Sequence, residues 1–341
     1  MSRMALRLLP LLVIVLVTAV ACMPPTPVAE PTPAVQAPPQ PEPVTLGLGY
    51  IPSVQFAPFY VARAKGFYAD EGLEVTFQHG FETDFIKLAG TGEIPFAVAS
   101  GEEVILARAQ GLPLVYVMSW YNRFPVVVFA KADLELDDPK ALEGKHVGIP
   151  GLFGASYVGW KALVYAAGID ETKVTLDSIG FTQAEAITQG RVDAALDYIV
   201  SGPVQLRLAG QDVSIIEVAD YVDLPSNGLI TSEQVIQERP DLVERVVRAT
   251  LRGLQYTLEH PDEAFQISIE AVPEAGGDNE PINRAIFDTV LPLWEPREDA
   301  ALGASDPQRW AEAVRFMRAM GLVDVDVDPE TLFTNRFVET P

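Results

Sequence analysis

One thiol stands in the 341 residues, that of Cys22, and its neighbours give it a chemistry. Arg3 and Arg7 precede an apolar run from Leu8 to Val17 broken only by Pro10, and Ala19-Val20-Ala21-Cys22 follows. A charged start, a short apolar run and small residues before a cut mark a secretory signal, and the run is too short to span a membrane. A cysteine directly after those small residues reads as a bacterial lipobox. Its thiol would take a diacylglyceryl thioether before a peptidase removes residues 1–21. Ala19 stands where leucine is usual, so the alternative is an ordinary secretory signal with an incidental cysteine. What comes next favours lipidation. Met23 to Pro43 carries nine prolines in 21 residues. Proline fixes φ and removes a donor, so this stretch reads as an extended tether, spanning roughly 65 Å at ~3.1 Å per residue.

The other residues suited to chemistry are aromatic and amide side chains. Tyr50, Phe56, Trp120, Tyr121, Phe153, Tyr157 and Tyr198 could stack on a flat ring. Asn122 and Ser100 could hydrogen-bond its polar groups. Each has a competing reading: helical aromatics such as Phe59, Tyr60 and Trp160 pack cores, and Ser100 opening a helix is a cap. The turn at Gly151-Leu152-Phe153-Gly154-Ala155-Ser156 could donate backbone N–H groups at a helix start, but it has no P-loop lysine. Nothing points to catalysis or metal. Gly-x-Ser-x-Gly is absent, and no nucleophile–base pair stands out. His79, His146 and His260 are isolated, without ligand spacing. Asp137-Asp138, Asp324 and Asp326 fall in expected loops and read as solvated. With 24 basic and 47 acidic residues, net −23, the chain lacks the basic surface that phosphate contacts require, which argues against nucleic acid.

The elements that must position these residues alternate. Strands are expected at Val44–Tyr50, Leu73–Phe77, Phe96–Ala99, Leu114–Met118 and Val126–Ala130. Between them lie helices at Ala57–Lys65, Asp84–Ala89 and Glu102–Gln110. The pattern restarts with strands at His146–Ile149, Val174–Leu176, Ala194–Leu196 and Val213–Ile216, with helices at Ala155–Ala167, Gln183–Thr188 and Val204–Leu208. A strand at Gly228–Thr231 is followed by helices at Leu242–His260, Asp262–Ala271, Glu280–Val290 and Asp306–Met320. Alternation of this kind means α/β units on mostly parallel sheets. One lobe interrupted by another implies two crossings, expected near Ala130–Leu134 and Asp223–Gly228. Lobe 1 is then 44–131 with 227–341, and lobe 2 is 132–226. Residues 22–43 form the tether. Two α/β lobes on a hinge enclose a ligand in the cleft between them. The aromatic residues above lie beyond the C-terminal ends of expected strands, where such sheets bind ligands.

Several stretches, in order and at these separations, carry a family resemblance. They are Gly49-Tyr50-Ile51-Pro52-Ser53-Val54-Gln55-Phe56-Ala57-Pro58-Phe59-Tyr60, Lys65-Gly66-Phe67-Tyr68, Gly92-Glu93-Ile94-Pro95-Phe96-Ala97-Val98, Ala107-Arg108-Ala109-Gln110-Gly111-Leu112-Pro113 and Gly190-Arg191-Val192-Asp193-Ala194. The body resembles solute-binding proteins of ABC importers, in the group that includes the thiamine-pyrimidine-precursor-binding proteins. The resemblance implies a two-lobed, type II periplasmic-binding-protein-like fold. It also implies binding without catalysis, and partnership with a membrane permease and its ATPase. It implies a lipid-anchored place on the extracytoplasmic face of the cell membrane, and a monomer suits lobes that open and close.

The departures from that group bear on ligand. The pyrimidine-binding branch has an aspartate–tryptophan pair where Gly49 and Tyr50 stand, a polar residue where Phe56 stands, and a glutamate where Gly202 stands. Loss of these groups is expected to suit a larger, flatter, less polar ligand. The loop Ile51–Ala57 has no basic residue, which disfavours a sulfonate or nitrate. The chain is similar to the riboflavin-binding subunits of riboflavin importers. The resemblance therefore implies riboflavin as transported ligand and no resident cofactor; a formylaminopyrimidine is the alternative. Synthases of this family carry a cysteine-rich motif that the body lacks.

Overall fold

The first strand begins inside the proline-rich segment. The computed structural model describes residues 40–297 and 300–338; the signal at 1–21, Cys22 and the tether through residue 39 lie outside them. Strand β1 spans Glu42–Leu48 and pairs with β2 along its whole length, but with β3 only from Leu46. The Glu42 N–H donates to Gly72 on the β2 side. Pro43 therefore faces the β3 side before pairing there begins, and its missing donor costs nothing. The expected tether thus ends two residues early, at Pro41.

The chain then runs through α1 (Ala57–Ala64), α2 (Phe67–Asp70), β2 (Leu73–His79), α3 (Glu82–Gly90), β3 (Phe96–Ser100), α4 (Gly101–Ala109) and β4 (Leu114–Ser119). The second lobe follows with β5 (Val126–Lys131), β6 (His146–Ile149), α5 (Gly154–Ala167), β7 (Thr175–Ser178), α6 (Gln183–Thr188), β8 (Ala194–Tyr198), α7 (Gly202–Leu208) and β9 (Val213–Glu217). Return to the first lobe brings β10 (Asn227–Ser232), α8 (Glu233–Glu238), α9 (Pro240–Glu259), α10 (Pro261–Ala271), α11 (Glu280–Trp294) and α12 (Pro307–Ala319).

The two sheets repeat one plan. Their orders are β2-β1-β3-β10-β4 and β7-β6-β8-β5-β9. In each, the strand entered after a crossing, β10 or β5, runs antiparallel to both neighbours, while β1, β2 and β3, like β6, β7 and β8, are mutually parallel. This corrects the expected boundary. β5 bonds to β8 and β9, so it belongs to the second lobe and the first crossing lies at residues 120–125, not at 130–134. The physical reason is in the strand itself. Val126 to Ala130 is buried on both faces, which suits a central position. The second crossing lies between β9 and β10.

Helix α9 shows how the first lobe closes. Leu242, Val243, Val246, Val247, Thr250, Leu254 and Thr257 recur at helical spacing and are buried, while Arg245 and Arg248 face outward. Arg248 makes two bonds to Glu71 at 2.8 and 2.9 Å, and Arg245 reaches Glu42 at 2.8 Å. The Arg248 pair holds the Glu71 carboxyl below the usual range, and Arg239, followed by Arg245, does the same for Glu42. None of the described helices is long and apolar enough to cross a membrane.

Candidate functional site

The parallel strands of both sheets end toward a common cleft of about 290 Å³. From the first lobe, Tyr50, Ile51, Pro52, Ser53 and Gln55 of the loop after β1 line it. From the second lobe come Phe181, Thr182, Gln183, Asp197, Ser201 and Gln205, and α11 adds Asn283 and Ile286. Aromatic side chains stand exposed on the same strand ends: Phe81 after β2 (71 %), Phe153 after β6 (68 %) and Phe181 after β7 (72 %). Of these, Phe181 lines the cleft, and its exposed ring favours a partner with an apolar face. The volume lies at the lower end of the range of about 300–1,000 Å³ for small-molecule pockets.

Beneath the cleft lies an aromatic floor. The Trp120 ring sits 5.5 Å from Phe56, 5.1 Å from Phe59, 4.7 Å from Tyr121 and 5.8 Å from Trp294. Phe56, Trp120 and Tyr121 are buried, so they support the cleft wall from behind. His79 braces the same wall. Its Nδ1 lies 3.2 Å from the Tyr50 carbonyl and its Nε2 3.2 Å from the Tyr60 hydroxyl, with its ring 5.5 Å from Phe56. Burial pulls its pKa below the ordinary value, which favours the neutral imidazole.

Other expected contacts have different work. The Ser100 hydroxyl makes no cap; it donates to Glu82 at 2.7 Å, and the Ser100 N–H donates to the same oxygen at 2.9 Å. Asn122 is turned to the hinge: its Nδ2 donates to the Trp294 carbonyl at 3.0 Å and its N–H to Leu293 at 2.7 Å. Phe153 and Tyr157 start α5, with Phe153 exposed and Tyr157 half-buried against the core; neither lines the 290 Å³ cleft. Tyr198 ends β8 and reaches across, donating its hydroxyl to Asn227 Oδ1 at 3.3 Å. It packs against the apolar clusters of both lobes.

The site's carboxylates escaped the sequence reading. Asp197 accepts the N–H groups of Tyr198 and Gly202 at 2.8 and 3.0 Å, and burial raises its pKa to about 7. Glu103 is raised to about 7 by burial and then by the Glu82 charge. Glu82 itself is raised by burial. The signal that could have found them is position: Glu82 opens the helix after β2, Glu102 and Glu103 directly follow β3, and Asp197 sits at the end of β8.

These acids also explain the departures at Gly49 and Gly202. A Cβ on Gly49 would stand 2.8 Å from the Glu82 Cβ. One on Gly202 would stand 2.3 Å from the Phe129 ring and 3.0 Å from Asp197 Oδ2. The Asp197 carboxylate therefore stands beside Gly202, and the Glu82 backbone and Cβ stand beside Gly49.

The cleft is lined by hydroxyl, amide, carboxyl and aromatic groups. The model of the family described as NMT1/THI5 like matches residues 53–264. "Riboflavin-binding protein RibY" of Chloroflexus aurantiacus is 44% identical, with 99% of each chain covered. The "Formylaminopyrimidine-binding protein" of Halalkalibacterium halodurans is 31% identical, covering 86% of this chain and 90% of that one. Among solved structures, the periplasmic aliphatic sulphonate binding protein SsuA of Escherichia coli is similar with a TM-score of 0.70, over 85% of this chain and 91% of that chain, at 14% identity. That likeness gives the fold, the two-lobed periplasmic-binding-protein architecture. On that fold, the chain belongs to the NMT1/THI5-like family.

Proposed function

We propose that this protein is the extracytoplasmic solute-binding subunit of an ABC importer and that its solute is riboflavin. The observation that carries the reading is end-to-end similarity to a riboflavin-binding protein, at 44% identity over 99% of both chains. The cleft's chemistry supports it. Tyr50 and Phe181 offer aromatic faces for a flat tricyclic ring. Ser53, Gln55, Ser201 and Gln205 offer hydroxyl and amide groups for a ribityl chain. Phe56, Trp120, Tyr121 and Tyr157 act as packing behind those faces, while Ser100 and Asn122 position the floor and the hinge. Closure of the lobes on the solute presents both to a membrane permease with its ATPase. Cys22 carries the lipid, and the proline-rich segment holds the body off the extracytoplasmic face of the cell membrane. The protein binds and delivers; it performs no chemistry.

A second reading, a formylaminopyrimidine, is favoured by one observation. Carboxylates at Glu82 and Asp197 suit an amino group and ring nitrogen. Equilibrium dialysis of the purified protein against riboflavin, a formylaminopyrimidine and an alkanesulfonate separates the readings. Retention of riboflavin alone is expected. Retention of the pyrimidine alone would move the protein to the second reading.

A further inference from the structure

Glu102 is the one side chain among the described residues whose two carboxyl oxygens are both buried without a hydrogen-bond partner. Its residue is 0 % exposed. Leaving such a group unpaired is costly, and native proteins retain it where it has work to do. Its place is specific. Glu102 lies in the first turn of α4, just after the C-terminal end of β3. Around it stand Ser100 and Glu103 on its own segment, Glu82 on α3, Tyr116 on β4 with the Arg309 charge nearby, and Tyr198 of the opposite lobe. Ser100 donates its hydroxyl to Glu82 at 2.7 Å.

Resting on the riboflavin reading, we infer that Glu102 is the group that reads the ring's imide edge, its carboxyl pairing with the N3–H and an adjacent carbonyl once Tyr198 has drawn back with the second lobe. A neutral carboxyl presents one donor beside one acceptor, which matches an imide's acceptor beside its donor. Burial, reinforced by the Glu82 and Glu103 charges, pushes its pKa well up and favours that neutral form. Its full burial keeps the pair out of water, where it discriminates most.

Three measurements on the purified protein test this. Glu102→Leu should weaken riboflavin binding about tenfold or more while leaving the ligand-free melting temperature unchanged or higher, because it removes an unpaired buried group. Glu102→Gln, which keeps a donor beside an acceptor, should restore binding to within about threefold of wild type. N3-methylriboflavin should bind wild type about tenfold or more weakly, and Glu102→Leu should not distinguish it from riboflavin. Wild-type affinity in Glu102→Leu, a lowered melting temperature in that variant, or indifference of wild type to N3-methylation each overturns the assignment. If wild type binds no riboflavin, the ligand reading fails instead. Glu102 is then judged on the leucine variant's melting temperature, a rise keeping it as a recognition group and a fall making it structural.

Discussion

Arg309 Nε lies 3.1 Å from the Asp223 carboxylate. Asp223 belongs to the second crossing between the lobes. The same guanidinium donates from Nη2 to the Asn122 carbonyl, in the first crossing, at 2.9 Å. One buried cation on α12 therefore holds both segments on which the lobes must turn. Arg297 adds a second bond to Asp223 at 2.6 Å, and Arg123 ties the first crossing to Glu217 and Asp220 at 2.8 and 2.6 Å. The Asn227 carbonyl takes the N–H groups of Trp120 and Tyr121 at 3.0 and 2.8 Å.

Removing the anion from this clamp leaves the buried guanidinium with a carbonyl alone. Asp223→Asn should lower stability by about 2–3 kcal/mol, near the low end for a broken buried pair because Asp223 is one-third exposed. Denaturant melts would show it as a lower midpoint with an unchanged slope. An unchanged midpoint would remove Arg309 from the hinge account.

The floor and the rim of the cleft should separate in mutants. Trp120→Ala deletes the hub of the aromatic floor and should cost about 3–5 kcal/mol. Phe181→Ala removes a ring that is 72 % exposed, so it should leave stability within about 0.5 kcal/mol while weakening riboflavin binding. Equal stability losses in the two variants would contradict the division.

Glu103 gives a pH dependence whose sign is fixed. Its folded pKa, about 7, is raised from 4.5, so the folded state holds its proton more tightly than the unfolded chain. The resulting stability is complete below pH 4.5 and is lost as pH rises through 7. Glu103→Gln should therefore match wild type near pH 4 and melt higher at pH 8, by roughly 3 °C after discounting its partial exposure. Thermal melts of both proteins across that range decide it; parallel curves would mean that Glu103 does not titrate as described.

Cys22 makes a separate prediction. Cells given labelled palmitate should label the wild-type protein, and Cys22→Ala should be unlabelled and unprocessed. Equal labelling of both would leave only a secretory signal.

The alternation of strands and helices, and hence the α/β lobes, was legible because apolar runs and glycine stops are local signals. The place of Val126–Lys131 was not. Adjacency in sequence put it beside β4, whereas its full burial required the centre of the other sheet. Tyr50, which lines the cleft, could be named because it follows a strand. Ser100 and Asn122 were named too, but Glu82 and Trp294 claim their side chains, and those partners lie 18 and 172 residues away in the chain. The acids were hidden for a related reason. A carboxylate at a strand end reads as solvated until the opposite lobe covers it, and Asp197 and Glu102 gain their burial only from the folded arrangement.

Titration of riboflavin with the purified protein, followed by flavin fluorescence, tests the central claim most directly. A ring stacked on Tyr50 and Phe181 should be quenched, with saturation at one riboflavin per protein. Absence of quenching at saturating protein, with a formylaminopyrimidine raising the melting temperature instead, would contradict riboflavin as the solute.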